Sequence, residues 1–78
     1  MLRILSPKGI QFEGDATSLN AKTVSGEITV LDHHHPLMTV LARGSIVFKE
    51  ATGDSREISI ESGFLEVNDR NELTLLIN

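Results

Sequence analysis

Ile46-Val47-Phe48-Lys49, the turn Thr52-Gly53-Asp54-Ser55 and then Glu57-Ile58-Ser59-Ile60-Glu61 form the stretch whose reading decides the fold. On an extended chain, side chains two apart share a face. Ile46 and Phe48 therefore fall together, as do Ile58 and Ile60, while Lys49, Glu57, Ser59 and Glu61 turn towards water. Between them, Gly53 and Asp54 supply the conformational tolerance of a tight reversal. The stretch predicts two half-buried strands joined as a hairpin.

Working outward, the same rhythm recurs. Short apolar segments stand between turn residues at intervals of about 8 to 12, the spacing of an antiparallel sandwich or barrel. Strands are expected at Leu2 to Leu5, Ile10 to Gly14, Ala16 to Asn20 and on towards Val24, Glu27 to Leu31, Leu37 to Leu41, Ile46 to Lys49, Glu57 to Ile60, Phe64 to Val67 and Leu73 to Ile77. Ser6-Pro7-Lys8-Gly9, Gly14-Asp15, Ser25-Gly26, Arg43-Gly44, Ser62-Gly63 and Asn68-Asp69-Arg70-Asn71 separate them. Leu37, Val40 and Leu41 also fit helical spacing, but Pro36 and Arg43-Gly44 confine the segment and Thr39 and Val40 are β-branched, so strand is the better reading. Leu73 to Ile77 ends apolar on both faces, which predicts a strand central in its sheet or covered by a partner. The expected fold is all-β: a small antiparallel sandwich of about nine to ten strands, with residues 1–78 forming one domain.

Composition narrows the function classes. With 78 residues, 40% of them hydrophobic and 23% charged, the chain has the balance of a folded domain rather than a disordered tail. It has no Cys to staple a small core or bind zinc as thiolate. Its only aromatic residues are three Phe, so the core is aliphatic and no platform exists for stacking bases or sugars. Seven basic against eleven acidic residues, net −4, oppose binding to nucleic acid. No segment approaches the roughly 20 apolar residues of a membrane span, and Pro7 breaks the N-terminal apolar run, so a soluble cytoplasmic chain without membrane insertion is expected.

Few residues suggest chemistry. In Asp32-His33-His34-His35-Pro36 an extended backbone would put His33 and His35 on one side and His34 on the other, giving two candidate ligands for zinc or nickel. A catalytic metal needs a third protein ligand; there is no other His, and only Asp32 or a distant carboxylate could complete the set, so the run reads as a solvated or interfacial loop, with no metal site. No Gly-x-Ser-x-Gly elbow is present. The six glycines stand singly, each better explained by a turn than by a phosphate loop, so no cofactor is expected. The acid pairs Glu13 with Asp15 and Glu57 with Glu61 read as solvent-facing. No catalytic residue emerges.

One stretch carries a resemblance. Gly26-Glu27-Ile28-Thr29-Val30-Leu31-Asp32-His33-His34-His35-Pro36-Leu37 resembles the turn, strand and loop of epsilon subunits of F-type ATP synthases, in which a Gly-Glu-hydrophobic-Gly run leads into Pro-x-His-Ala-Pro-Leu. Ser6 to Gly14 is similar to that family's opening hairpin, and Ile60 to Val67 to its Ser-Gly-Gly-Phe-Leu-Glu-Val strand, where Phe64 and Leu65 match by type. The three blocks keep order and spacing across essentially the whole chain. Asp32, His33, His35 and Thr29 depart from the usual Pro, small residue, Ala and second Gly.

The resemblance implies a non-catalytic central-stalk subunit, not an enzyme by itself. It would sit at the cytoplasmic face of an energy-transducing membrane, joining the gamma subunit to the c ring and coupling ion translocation to ATP synthesis. It implies that Glu27 and His34, both expected on an exposed loop, face the ring. In isolation the chain is expected to be a monomer. Most relatives continue into a helical hairpin that restrains rotation; if Asn78 is the natural end, coupling without that brake is expected. The alternative reading is a free-standing interaction or metal-handling module using the His33-His35 loop.

Overall fold

The computed structural model describes all residues from Met1 to Asn78 and contains strands and turns with no helix. Nine strands run in chain order: β1 Leu2–Ser6, β2 Gly9–Gly14, β3 Ala16–Thr23, β4 Gly26–Leu31, β5 Leu37–Leu41, β6 Gly44–Glu50, β7 Ser55–Ile60, β8 Gly63–Val67 and β9 Leu73–Ile77. The sequence placed every one, and Leu37–Leu41 is a strand rather than helical turns. The deciding hairpin is real: β6 pairs with β7 from Gly44↔Ile60 to Lys49↔Ser55.

The strands form one continuous sheet that curls over on itself. Five make one layer in the order β2-β1-β9-β8-β5; β7, β6, β3 and β4 make the other. The layers are joined where the end of β3 meets the end of β5, at Thr23↔Leu41. There Val24 N–H donates to the Val40 carbonyl and Ala42 N–H to that of Lys22, at 3.1 and 2.8 Å. Thr23 is buried, and its hydroxyl donates to the Gly26 carbonyl at 2.6 Å while accepting from Ser25 N–H. The β3–β4 reversal at Val24-Ser25 is thus tied from inside.

Alternation fills the space between the layers. Leu2, Ile4, Leu41, Leu65, Val67, Leu75 and Ile77 from one layer meet Leu19, Ala21, Val30, Ile46, Phe48 and Ile60 from the other in a single buried cluster. Opposite the β3/β5 junction, Phe12 on β2 packs its ring 4.7 Å from that of Phe48, and the Arg56 guanidinium lies 5.4 Å above Phe12. The ring contact joins edge strand β2 to β6 and the guanidinium joins it to edge strand β7, by side chains where no backbone ladder does.

One expectation needs correction. The ladder is not wholly antiparallel, because β1 and β9 run parallel in the register Leu2↔Leu73 to Leu5↔Leu76. Turn signals reveal hairpins only, whereas these strands are joined by the rest of the chain. The apolar end of β9 is accounted for accordingly: it is central, between β1 and β8.

Gly63 opens β8 opposite Ile77, and a β-carbon there would lie 2.5 Å from the Leu76 carbonyl oxygen and 3.3 Å from Ile77 Cα. Both neighbours are backbone, so neither can rotate away. Gly63→Ala gains about 0.5–1 kcal/mol from a stiffer chain but loses about 1–3 kcal/mol or more to overpacking. Net destabilisation is expected, read as a lower thermal midpoint by circular dichroism; an unchanged or raised midpoint would show that β8 and β9 separate freely.

Candidate functional site

The two outer faces differ in chemistry. On the five-stranded layer, pairings carry one row across every strand: Val40↔Phe64, Phe64↔Leu76, Leu76↔Leu5 and Leu5↔Ile10. All five side chains are apolar. Val40, Phe64, Leu76 and Ile10 are 42, 55, 50 and 61% exposed. Met38 flanks the row, and the neighbouring row turns polar at Glu66, Thr74, Arg3 and Glu13, with Arg3 Nε donating to Glu13 Oε2 at 2.7 Å. The matching row of the other layer, Glu57, Val47, Asn20 and Thr29, holds one apolar residue, and Asn20 Nδ2 donates to Thr29 Oγ1. An apolar band rimmed by polar groups is the pattern of a contact surface. By type Phe64 and Leu65 both matched a core strand; of the two, Leu65 is buried and Phe64 points outward.

The residues singled out beforehand lie elsewhere. Glu27 is exposed and is the second residue of β4, not part of a loop. His34 follows the other end of β4 and is half-buried, with Nδ1 donating to the His35 carbonyl at 2.7 Å. The strand, rising about 3.4 Å per residue, separates the two. They therefore mark opposite ends of one border, since β4 pairs only with β3 and its other edge is open.

The His loop departs from the extended geometry assumed for it. His33 is left-handed at φ 61°, which breaks the alternation that would set His33 and His35 side by side. No three His, Asp or Glu side chains converge as a metal cage requires. What does converge on the loop was seen in the sequence only as a turn: Asn71, left-handed at φ 60°, reaches over from the β8–β9 connection. Its Nδ2 donates to Asp32 Oδ1 at 2.6 Å, and its Oδ1 accepts from His33 N–H at 2.7 Å. The Asn71 amide is the main reason the Asp32 carboxyl sits below the usual carboxylate range; partial desolvation opposes it, and the His33 ring, the His33 N–H and the N-terminal ammonium reinforce it.

Comparison with known proteins identifies the fold's relatives. Residues 1–78 match the family described as ATP synthase, delta/epsilon chain, beta-sandwich domain. The chain belongs to this family. It is 41% identical over 70 residues to the ATP synthase epsilon chain of Endomicrobium trichonymphae, covering 90% of this chain and 50% of that one. With the epsilon chain of Aquifex aeolicus it shares 36% identity over 75 residues, covering 95% and 54%. It thus spans about half the length of the curated epsilon relatives it matches. Among solved structures, one chain of the Euglena gracilis mitochondrial ATP synthase OSCP/F1/c-ring assembly superposes with a TM-score of 0.90 at 22% identity, over 97% of this chain and 48% of that one. A chain of the Tetrahymena thermophila mitochondrial ATP synthase central stalk and c ring does so with 0.80 at 17% identity, over 97% and 60%. At such identities the superpositions speak for the shared fold alone.

Proposed function

We propose that this chain is the β-sandwich of a non-catalytic central-stalk subunit in a rotary F-type ATP synthase, peripheral to the cytoplasmic face of the energy-transducing membrane. The observation that carries the reading is the apolar band Val40-Phe64-Leu76-Leu5-Ile10 on one outer face of the sandwich. Membership of the delta/epsilon family supports it. In this reading the band seats the chain on the gamma subunit and the long border along β4, from Glu27 to the His34 loop, faces the c ring. Torque then passes between them through two layers of cross-strand hydrogen bonds, which needs stiffness but no cofactor. In isolation the chain is a monomer, and it binds no nucleic acid.

The test is reconstitution of synthase complexes lacking epsilon, with ATP-driven ion pumping into vesicles as the readout. Glu27→Lys with His34→Asp changes charge at both ends of the β4 border while both positions lie outside the core, so the fold is retained. Pumping is expected to fall to about half or less at unchanged ATP hydrolysis. Undiminished pumping by complexes carrying the double variant would remove the ring-facing assignment of these residues.

A further inference from the structure

We propose that Asn71 is a positioning residue that holds the His33-His35 loop in the conformation presented at the β4 border. The proposal rests on the reading that this loop faces a partner, and adds to it the residue that sets the loop's shape.

The geometry is specific. Asn71 stands on a turn that is rigid without it: Asn68 Oδ1 accepts from Arg70 N–H and Glu72 N–H at 2.9 and 3.0 Å, and Asn68 Nδ2 donates to Glu72 Oε1 at 2.7 Å. The turn is tied to the N-terminal segment, since the Asn71 carbonyl accepts from the N-terminal ammonium at 3.4 Å and Leu73 N–H donates to the Met1 carbonyl at 2.8 Å. From that base one carboxamide spends its acceptor on His33 N–H and one donor on Asp32. A carboxamide is the only uncharged side-chain group of this size that offers a donor and an acceptor side by side. Across 38 residues of sequence it closes onto two neighbouring loop residues, one of them the left-handed His33. His33 Nε2 lies 3.6 Å from Asp32 Oδ2, so the anchored carboxylate also steers that ring. His34 follows directly, and its direction from the sheet depends on the backbone turn at His33.

Asparagine and aspartate both tolerate the left-handed region, so Asn71→Asp changes the hydrogen bonds and leaves the backbone preference in place. It sets two carboxylates against each other where an amide met a carboxylate. The exchanged pair, Asp32→Asn with Asn71→Asp, returns a donor to position 32 and leaves an acceptor at 71 for His33 N–H. A merely structural need for bulk at 71 would not distinguish the single from the exchanged variant.

The experiment measures amide hydrogen exchange of the His33 N–H in the chain, and ion pumping in reconstituted complexes, for Asn71→Asp, the exchanged pair and His34→Asp. Expected are about tenfold faster exchange at His33 in Asn71→Asp, return towards the original rate in the exchanged pair, and pumping that falls and recovers in the same order. Unaltered exchange in Asn71→Asp, or no recovery in the exchanged pair, overturns the proposal. So does normal pumping by Asn71→Asp when His34→Asp impairs it. If His34→Asp itself pumps normally, the ring-facing reading fails, and the exchange rates alone then decide whether Asn71 positions the loop.

Discussion

Phe48→Ala is expected to leave the chain largely unfolded at physiological temperature. The ring is 1% exposed and lies between the layers, 4.7 Å from Phe12. Its loss removes about 3–5 kcal/mol through lost burial and an unfilled cavity. A domain of this size has on the order of 5 kcal/mol in total, the low end of the usual range, because its small volume buries little surface. Phe12 cannot move in to compensate without leaving Arg56 and parting β2 from β7, the one side of the sandwich closed by side chains alone. With no Trp or Tyr to report by fluorescence, the measurement is far-ultraviolet circular dichroism against temperature. A fall in midpoint of about 15–30 °C is expected; a loss of only a few degrees would mean that the core does not depend on this ring.

The second large effect falls on association rather than stability. Phe64→Thr with Leu76→Thr keeps good strand formers in β8 and β9 but removes two adjacent inner side chains of the apolar band. If the band is the seat for gamma, these residues are where truncation should cost most, about 2–4 kcal/mol together, or roughly 30- to 1,000-fold in affinity. The thermal midpoint should change far less, because both side chains are half in water already. Calorimetric titration against gamma checks the first statement and a thermal melt the second. Wild-type affinity in the double variant would rule out the band as the contact.

Most of the fold is legible in the sequence because each strand has one wet and one dry face. Ile58 and Ile60, or Leu65 and Val67, announce period two locally, and the glycine and asparagine turns divide the runs. Pairings between distant segments leave no such mark. Nothing near Leu2 or Leu73 says that they are partners, so the parallel β1/β9 ladder was missed. Surface roles are harder still. Phe64 and Leu76 look like core residues until the register shows that Leu65 and Leu75 occupy the inside and these two the outside. The His run drew notice for its composition, yet its shape is set by Asn71, one residue among four in a turn, and no local pattern connects positions 33 and 71.

The parallel ladder between β1 and β9 also bears on how the molecule is made. A growing polypeptide leaves the ribosome N-terminus first, so the β1–β2 hairpin is finished early with one side of β1 unpaired. Leu2 must wait for Leu73 and Ile4 for Leu75, a delay on the order of several seconds at cellular rates of synthesis. The other layer has no such gap, since β3, β4, β6 and β7 all emerge beforehand. Birth is therefore sequential: one leaf of the molecule can assemble while the other stays open, and insertion of β9 between β1 and β8 is the closing event. Because that step pairs residues about 70 apart in sequence, it closes a longer loop than any hairpin in the sheet.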